Sequence, residues 1–111
     1  MNEVVFLYVT APDEAAAAAI AETLVGESLA ACVNIFPRIR SVYRWKGAVE
    51  RSGEAALIVK TTAAKAAAAR SAIERAHPYE TPVIAALGVD GVRSGAAFLD
   101  WIESELSETF P

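Results

Sequence analysis

The stretch AACVNIFPRIRSVYRWKGAVERSGEAALIVKTT, residues 30–62, decides the fold because it holds two long extended runs joined by a turn. Residues 31–45 are rich in β-branched and aromatic side chains, which suit a pleated and partly buried surface. Residues 48–61 end in an apolar segment. Lys46-Gly47 predicts a tight turn, since glycine accepts positive φ, while residues 51–54 offer a competing turn or bulge. Strands this long exceed the usual length of about 5–6 residues, so we expect the hairpin to project toward a partner.

Shorter elements are predicted before the hairpin. A continuously apolar strand at 4–10 precedes a helix that Thr10 is placed to cap. The helix is expected to run to about Val25, with Gly26 placed to stop it. The small residues on its inward side allow it to lie close to a sheet.

Three further elements follow the hairpin. A helix at 63–76 has Thr61-Thr62 as candidate caps, and an apolar strand is predicted at 83–89. Ser94-Gly95 then opens a last helix. The side chains predicted to face inward on this helix are Phe98, Trp101, Ile102 and Leu106.

The order strand, helix, strand, strand, helix, strand, helix predicts an α+β protein. It matches the ferredoxin-like split βαβ pattern, with an antiparallel sheet, a long β-hairpin and an added C-terminal helix. At 111 residues we expect a single domain, 1–111. Nearly every strand is apolar on both faces, so we expect an obligate homo-oligomer with sheets packed face to face. The alternative is a monomer whose C-terminal helix folds over the second face.

Composition excludes several classes of protein. The formal charge of −4 argues against nucleic acid as a partner. No apolar run approaches the roughly 18 residues that span a bilayer, so no membrane partner is expected. A single cysteine cannot form an intrachain disulfide, and the start Met1-Asn2-Glu3 lacks a basic region before an apolar one. These features predict a cytoplasmic protein.

Cys32 and His77, the only cysteine and the only histidine, are candidate metal ligands. A closed zinc site needs four ligands, which one chain does not supply. An open site could combine His77 and Glu80 with another chain's carboxylate or Cys32 thiolate, and such ligands favour copper or zinc. The alternatives are a buried, inert Cys32 and a His77 that caps the carbonyls of the preceding helix.

The sequence offers little for catalysis. An apolar strand around Cys32 disfavours the thiolate that a Cys-His dyad requires. Neither G-x-x-x-x-G-K-[ST] nor G-x-G-x-x-G is present, and residues 90–95 provide only a weak anion-binding turn. We therefore expect no enzymatic activity and no obligatory cofactor, with Cu(II) or another divalent cation as the candidate bound ion.

The hairpin carries charges and aromatic side chains. Four basic residues stand at even-numbered positions of its first strand, so an unbroken strand would place them on one face: Arg38, Arg40, Arg44 and Lys46. The favoured interpretation is a solvated face that pairs with Glu50 and Glu54 across the hairpin. Another group combines aromatic rings with both signs of charge and is a candidate interchain cleft, or alternatively a set of interface anchors: Tyr43, Trp45, Glu50, Lys60, Tyr79 and Glu80.

Several motifs in order along the chain resemble the CutA family of divalent-cation tolerance proteins. They are AACVNI at 30–35, SVYRWKG at 41–47, VKTT at 59–62, HPYETP at 77–82 and FLDWI at 98–102. The resemblance implies a ferredoxin-like subunit, a homotrimer built by hairpin strands of different chains, a cytoplasmic location and binding of copper or other divalent ions rather than catalysis. Its alternative implication is a trimeric signalling scaffold similar to the PII proteins, which would bind a small anionic ligand in the interchain cleft.

The resemblance also assigns roles to single positions. Cys32 and His77 match residues linked to copper binding in some members. The family's interface cleft is matched by Trp45, Glu50, Lys60, Tyr79 and Glu80. Two positions depart from the family pattern: Val83 stands where an acid is frequent, and Gly88 stands where a proline is frequent. The first departure removes one candidate metal ligand.

Overall fold

The hairpin forms half of a four-stranded antiparallel sheet with the strand order β2-β3-β1-β4. We describe residues 3–107 from a computed structural model; Met1, Asn2 and residues 108–111 lie outside the described part. The elements are β1 (Val4–Ala11), α1 (Glu14–Gly26), β2 (Cys32–Trp45), β3 (Ala48–Thr62), α2 (Ala63–Ala76), β4 (Ile84–Gly88) and α3 (Ala96–Leu106). This order confirms the predicted α+β, ferredoxin-like fold with its added C-terminal helix.

The turn of the hairpin lies at Lys46-Gly47, as predicted. Both residues have positive φ, 49° and 83°, which is the requirement of the two-residue turn that matches strand twist. The competing turn at residues 51–54 does not form, because these residues continue β3 without a break in pairing. The irregularity lies in β2, where Pro37 and Arg38 together oppose Ala55. Proline has no N–H to give to the ladder, so a bulge suits this position.

The hairpin extends beyond the rest of the sheet. β1 pairs with β3 only from Ala55 onward, so residues 48–54 of β3 are paired on the β2 side alone within the described chain. The molecule measures 51 × 28 × 21 Å, and its radius of gyration is 14.9 Å. A compact chain of this length has a radius of gyration of about 13 Å. The predicted projection of the hairpin is therefore confirmed.

Helices α1 and α2 cover one face of the sheet. Ile20 and Leu24 of α1 and Ile73 of α2 are at most 2% exposed and pack with Val9 and Leu57 of the central strands. These apolar side chains alternate with residues of the opposite face, as strand geometry requires. The alanines of both helices permit the close approach that was expected.

The second face of the sheet is only partly covered. Helix α3 packs on one end of it, where Ile102 and Leu106 contact Val4. Farther along, Phe36 remains 49% exposed. The prediction that Trp101 faces inward is wrong: its side chain is 44% exposed, and Leu99 packs against the core in its place.

The caps of the helices differ from those predicted. Asp13, not Thr10, caps α1, with its Oδ1 accepting a 2.8 Å hydrogen bond from Ala16 N–H, because Thr10 is still paired within β1. Gly26 is the last helical residue, and the left-handed residue that reverses the chain is Ser28, with φ of 58°. Thr62 occupies the N-cap of α2 but makes no side-chain cap bond.

None of the helices within residues 3–107 is both long enough and apolar enough to cross a membrane.

Candidate functional site

His77 is held in a fixed orientation between β1 and the segment that follows α2. Its Nδ1 accepts a 3.1 Å hydrogen bond from Tyr79 N–H. Nδ1 is therefore unprotonated, and the proton on Nε2 is donated to the Thr10 carbonyl at 2.6 Å. The residue is 8% exposed. Both ring nitrogens thus already have partners, and the side chain joins α2 to β1 instead of capping the carbonyls of α2.

Tyr79 joins the same segment to the base of the hairpin. Its hydroxyl donates a 2.9 Å hydrogen bond to Oε2 of Glu54, and its ring lies 4.8 Å from the His77 ring. Burial, followed by the hydrogen bond to Glu54 and the charge of Glu54, raises the pKa of Tyr79 to about 12. The phenol therefore stays protonated as a donor at neutral pH.

Cys32 lies away from His77. It is a half-buried thiol on β2, directly opposite Lys60, which in turn opposes Phe6 of β1. His77 bonds to Thr10, which is four residues farther along β1 than Phe6. Four residues of strand correspond to about 13 Å. A single chain therefore does not bring the cysteine and the histidine together.

Glu80 follows Tyr79 at the surface and is exposed. Across residues 3–107 no three His, Cys, Asp or Glu side chains are grouped closely enough to hold a metal ion. A metal site built from Cys32, His77 and Glu80 would therefore need ligands from more than one chain.

The six candidate cleft residues separate into three places. Tyr43 opposes Glu50 directly on the outer hairpin, and Trp45 lies on the same face near the turn. Tyr79 and Glu80 lie at the hairpin base. Ten residues of β3 separate Lys60 from Glu50, which is about 33 Å of strand. Only contact between chains could unite all of them.

Lys60 occupies an aromatic setting on the second face of the sheet. Its Nζ lies 5.8 Å from the centre of the Phe6 ring and 5.4 Å from the centre of the Phe98 ring. The two rings meet edge to face at 6.4 Å. No ion pair to Lys60 occurs among residues 3–107.

The charges of the hairpin are arranged differently from the prediction. Arg40 opposes Gly53 and Arg44 opposes Val49, whereas Glu50 opposes Tyr43. Directly opposite residues share a face, so the arginines and the glutamates lie on opposite faces of the hairpin. The expected pairing of the basic face with Glu50 and Glu54 is therefore wrong.

Sequence reasoning missed some of the residues that shape this region. Thr10 was treated as a cap, yet its carbonyl receives His77 and its Oγ1 is buried without a hydrogen-bond partner among residues 3–107. Glu54 was assigned to the arginines instead of Tyr79. Phe98 was predicted to face inward, but its contact with Lys60 depends on how α3 crosses the sheet. Residue types alone do not predict these contacts because they join distant parts of the chain.

The chain matches known proteins over nearly its whole length. Residues 5–105 match the family model described as CutA1 divalent ion tolerance protein. The divalent-cation tolerance protein CutA of Archaeoglobus fulgidus is 45% identical over 98 residues, covering 88% of this chain and 93% of that protein. The protein of the same description from Thermus thermophilus is 42% identical over 102 residues, covering 92% of this chain and 95% of that protein.

Solved structures agree with the sequence comparisons. The structure described as the periplasmic divalent cation tolerance protein CutA from Archaeoglobus fulgidus has a TM-score of 0.88 at 41% identity, covering 94% of this chain and 99% of that one. The three comparisons align nearly the same part of this chain. This chain therefore belongs to the CutA1 family of divalent ion tolerance proteins.

Proposed function

We propose that this protein acts in divalent-cation tolerance as a homotrimer that binds copper or another divalent ion. The observation that carries the proposal is the incompleteness of the single chain. Residues 48–54 of β3 have one edge without a strand partner in the described chain, and the aromatic side chains of the hairpin are exposed, Tyr43 at 42% and Trp45 at 48%. Free strand edges and exposed apolar patches are typical of surfaces that join another copy.

The proposed metal site takes its ligands from different subunits. Cys32 is a soft ligand on an edge strand, and Glu80 is an exposed carboxylate beside His77. Binding at His77 would require Tyr79 N–H to release Nδ1. Cys32 and Glu80 are therefore the ligands that the geometry supports better, with His77 orienting the segment that carries Glu80.

The assembly is tested by analytical ultracentrifugation at micromolar concentration. The expected mass is three times the chain mass of 11.7 kDa. A well-folded monomer at that concentration would overturn the proposed trimer.

Metal binding is tested by calorimetric titration of Cu(II) into the wild type and into Cys32→Ser, Glu80→Gln and His77→Ala, with folding checked by circular dichroism. We expect weaker binding by the first two variants. His77→Ala should weaken binding less than the other two variants, because the proposal gives His77 an orienting role and not a place among the ligands. Unchanged binding in all three variants would dismiss these residues as ligands.

A second candidate function is a PII-like scaffold that binds a small anionic ligand in the interchain cleft. The observation in its favour is Lys60, whose ammonium lies over two rings without a carboxylate among residues 3–107. A metabolite screen by thermal shift tests it, with Lys60→Ala and Trp45→Ala as variants. Ligand at 100 times its Kd adds about 2.7 kcal/mol to the free energy of unfolding. A screen without any shift, or a shift that both variants retain, would count against the cleft.

We also propose a cytoplasmic location, supported by the single free cysteine. Because the Archaeoglobus structure is described as periplasmic, cell fractionation is the relevant test.

A further inference from the structure

The outer hairpin has an arginine face, which we define as Arg40, Arg44 and Arg51. In the strand register Arg40 opposes Gly53, Arg51 opposes Val42, and Arg44 opposes Val49, so all these side chains lie on one face. Arg51 is thus placed between the other two arginines, diagonally across the strands. Diagonal neighbours of this kind are about 7–8 Å apart, and arginine side chains readily span such a distance.

The arginine face is positive without internal neutralisation. The nearest glutamates of the hairpin, Glu50 and Glu54, oppose Tyr43 and Ile39 and therefore lie on the other face. No ion pair to the three arginines occurs among residues 3–107. The arginines are diagonal neighbours and not directly opposite one another, so a bound anion could lie between them and attract each guanidinium. The surface is local, because the whole chain has a net charge of −4.

A groove adjoins this face. It has a volume of about 240 Å³ and is lined by Arg40, Ser41, Val42, Arg51, Ser52 and Gly53. The arginine face contributes Arg40, Val42, Arg51 and Gly53 to this space, whereas Ser41 and Ser52 oppose one another with the parity of the other face. Gly53 contributes to this space, since a Cβ built there would meet nothing within 4 Å.

We propose that the arginine face binds a small anion with two or three linked phosphate groups. Guanidinium groups bind phosphate oxygens through paired N–H donors, and adjacent arginines can hold successive phosphates of one chain. The shared chemistry is that of inorganic triphosphate and of the phosphate tail of a nucleotide. The face has no aromatic side chain on which bases could stack, and the negative net charge opposes long nucleic acids.

The arginine face is distinct from the interchain cleft, although Arg51 and Gly53 lie in residues 48–54, the strand segment whose free edge is proposed to join another copy. Its three arginines belong to one chain, and they lie on the face opposite Tyr43 and Glu50, the outer-hairpin residues assigned to the cleft. Binding of an anion by the three arginines requires no second chain, and its failure leaves the proposed trimer standing.

The test is calorimetric titration of inorganic triphosphate into the full-length protein in metal-free buffer of low ionic strength. The variants are Arg40→Gln with Arg51→Gln, and Gly53→Val, which fills the groove without changing the charge. The control Arg70→Gln removes one positive charge from α2, away from the hairpin, where Arg70 lies 4.0 Å from Glu74. Ultracentrifugation of the same samples reports the state of assembly.

We expect wild type and Arg70→Gln to bind triphosphate equally, Gly53→Val to bind at least fivefold more weakly, and the double variant to bind at least tenfold more weakly. Titrations with ATP and with adenosine then distinguish inorganic triphosphate from a nucleotide as the ligand. Equal binding of ATP and triphosphate identifies the phosphate chain as the whole ligand, whereas tighter ATP binding identifies a nucleotide; adenosine alone should not bind. Absence of binding to the wild type, or equal affinity in the wild type and the double variant, overturns the proposal.

Discussion

The hydroxyl of Tyr79 donates a 2.9 Å hydrogen bond to the carboxylate of Glu54, and this contact ties the segment after α2 to the base of the hairpin. Tyr79 is also the residue whose backbone N–H holds Nδ1 of His77. One residue therefore connects three parts of the fold: the hairpin, the end of α2 and, through His77, strand β1.

Replacing Tyr79 by Phe should lower the free energy of unfolding by about 1 kcal/mol, because a partly buried carboxylate loses its donor. Denaturant unfolding measures the change. Tyr8→Phe is the matched control, since the Tyr8 hydroxyl has no hydrogen-bond partner among residues 3–107 and its removal should have little effect. Equal losses in the two variants would contradict a specific role for the Glu54 contact.

The contribution of Tyr79 to stability should disappear at high pH. The pKa of Tyr79 is raised in the fold to about 12, above the ordinary value of 10.0. The folded state then holds the phenolic proton more tightly than the unfolded state, so the stabilisation is complete below pH 10 and is lost as the pH rises toward 12. Unfolding of wild type and Tyr79→Phe between pH 9 and pH 11.5 measures this. A difference in stability that stays constant over that range would refute the assignment.

His77→Ala should destabilise the protein even when metal is absent. The substitution leaves the Thr10 carbonyl and Tyr79 N–H without their partners, and an unsatisfied buried group costs about 1–3 kcal/mol. Unfolding in the presence of a chelator isolates this effect. His77→Asn can retain an acceptor near Tyr79 N–H, so its free energy of unfolding should fall less than that of His77→Ala. Full stability of His77→Ala without metal, with a loss only when copper is added, would reverse the assigned role.

Two substitutions at the end of α1 and in the loop after it should stabilise the protein. Ser28→Gly should raise the free energy of unfolding by about 0.5–1 kcal/mol, because Ser28 adopts the left-handed conformation that glycine tolerates best. Gly26→Ala should raise it by a similar amount, since Gly26 ends the helix and an added Cβ has open space. Thermal unfolding of both variants measures this. Destabilisation by Gly26→Ala would mean that Gly26, not Ser28, reverses the chain.

Much of the fold followed from patterns that are local in the chain. The bounds of α2 were predicted at 63–76 and are Ala63–Ala76, because high helix propensity continues up to the residue before Pro78. The turn at Lys46-Gly47 was likewise predicted. Once that turn is chosen, Trp45 opposes Ala48 and the rest of the outer register follows by counting. The sequence and the position of this turn therefore place the arginines and the glutamates on opposite faces of the hairpin, although a pairing between them was predicted.

The candidate site was predicted less completely. The partner of Tyr79 and the engagement of both nitrogens of His77 were not among the predictions. Each of these contacts joins residues that are distant along the chain or depends on the exact path of the segment between α2 and β4. Trp101 illustrates the same limit, because helical periodicity allows Trp101 or Leu99 to face the sheet, and only the position of α3 decides between them.

By itself, the sequence determined the order of the elements, the length of the hairpin and the place of its turn, since propensity, capping and glycine geometry act over a few residues. Only the tertiary structure decided that Cys32 and His77 lie apart, that Lys60 lies over two rings and that three arginines share an uncompensated face. The physical reason is that distances between strands depend on register, twist and helix packing, which sum over the whole chain.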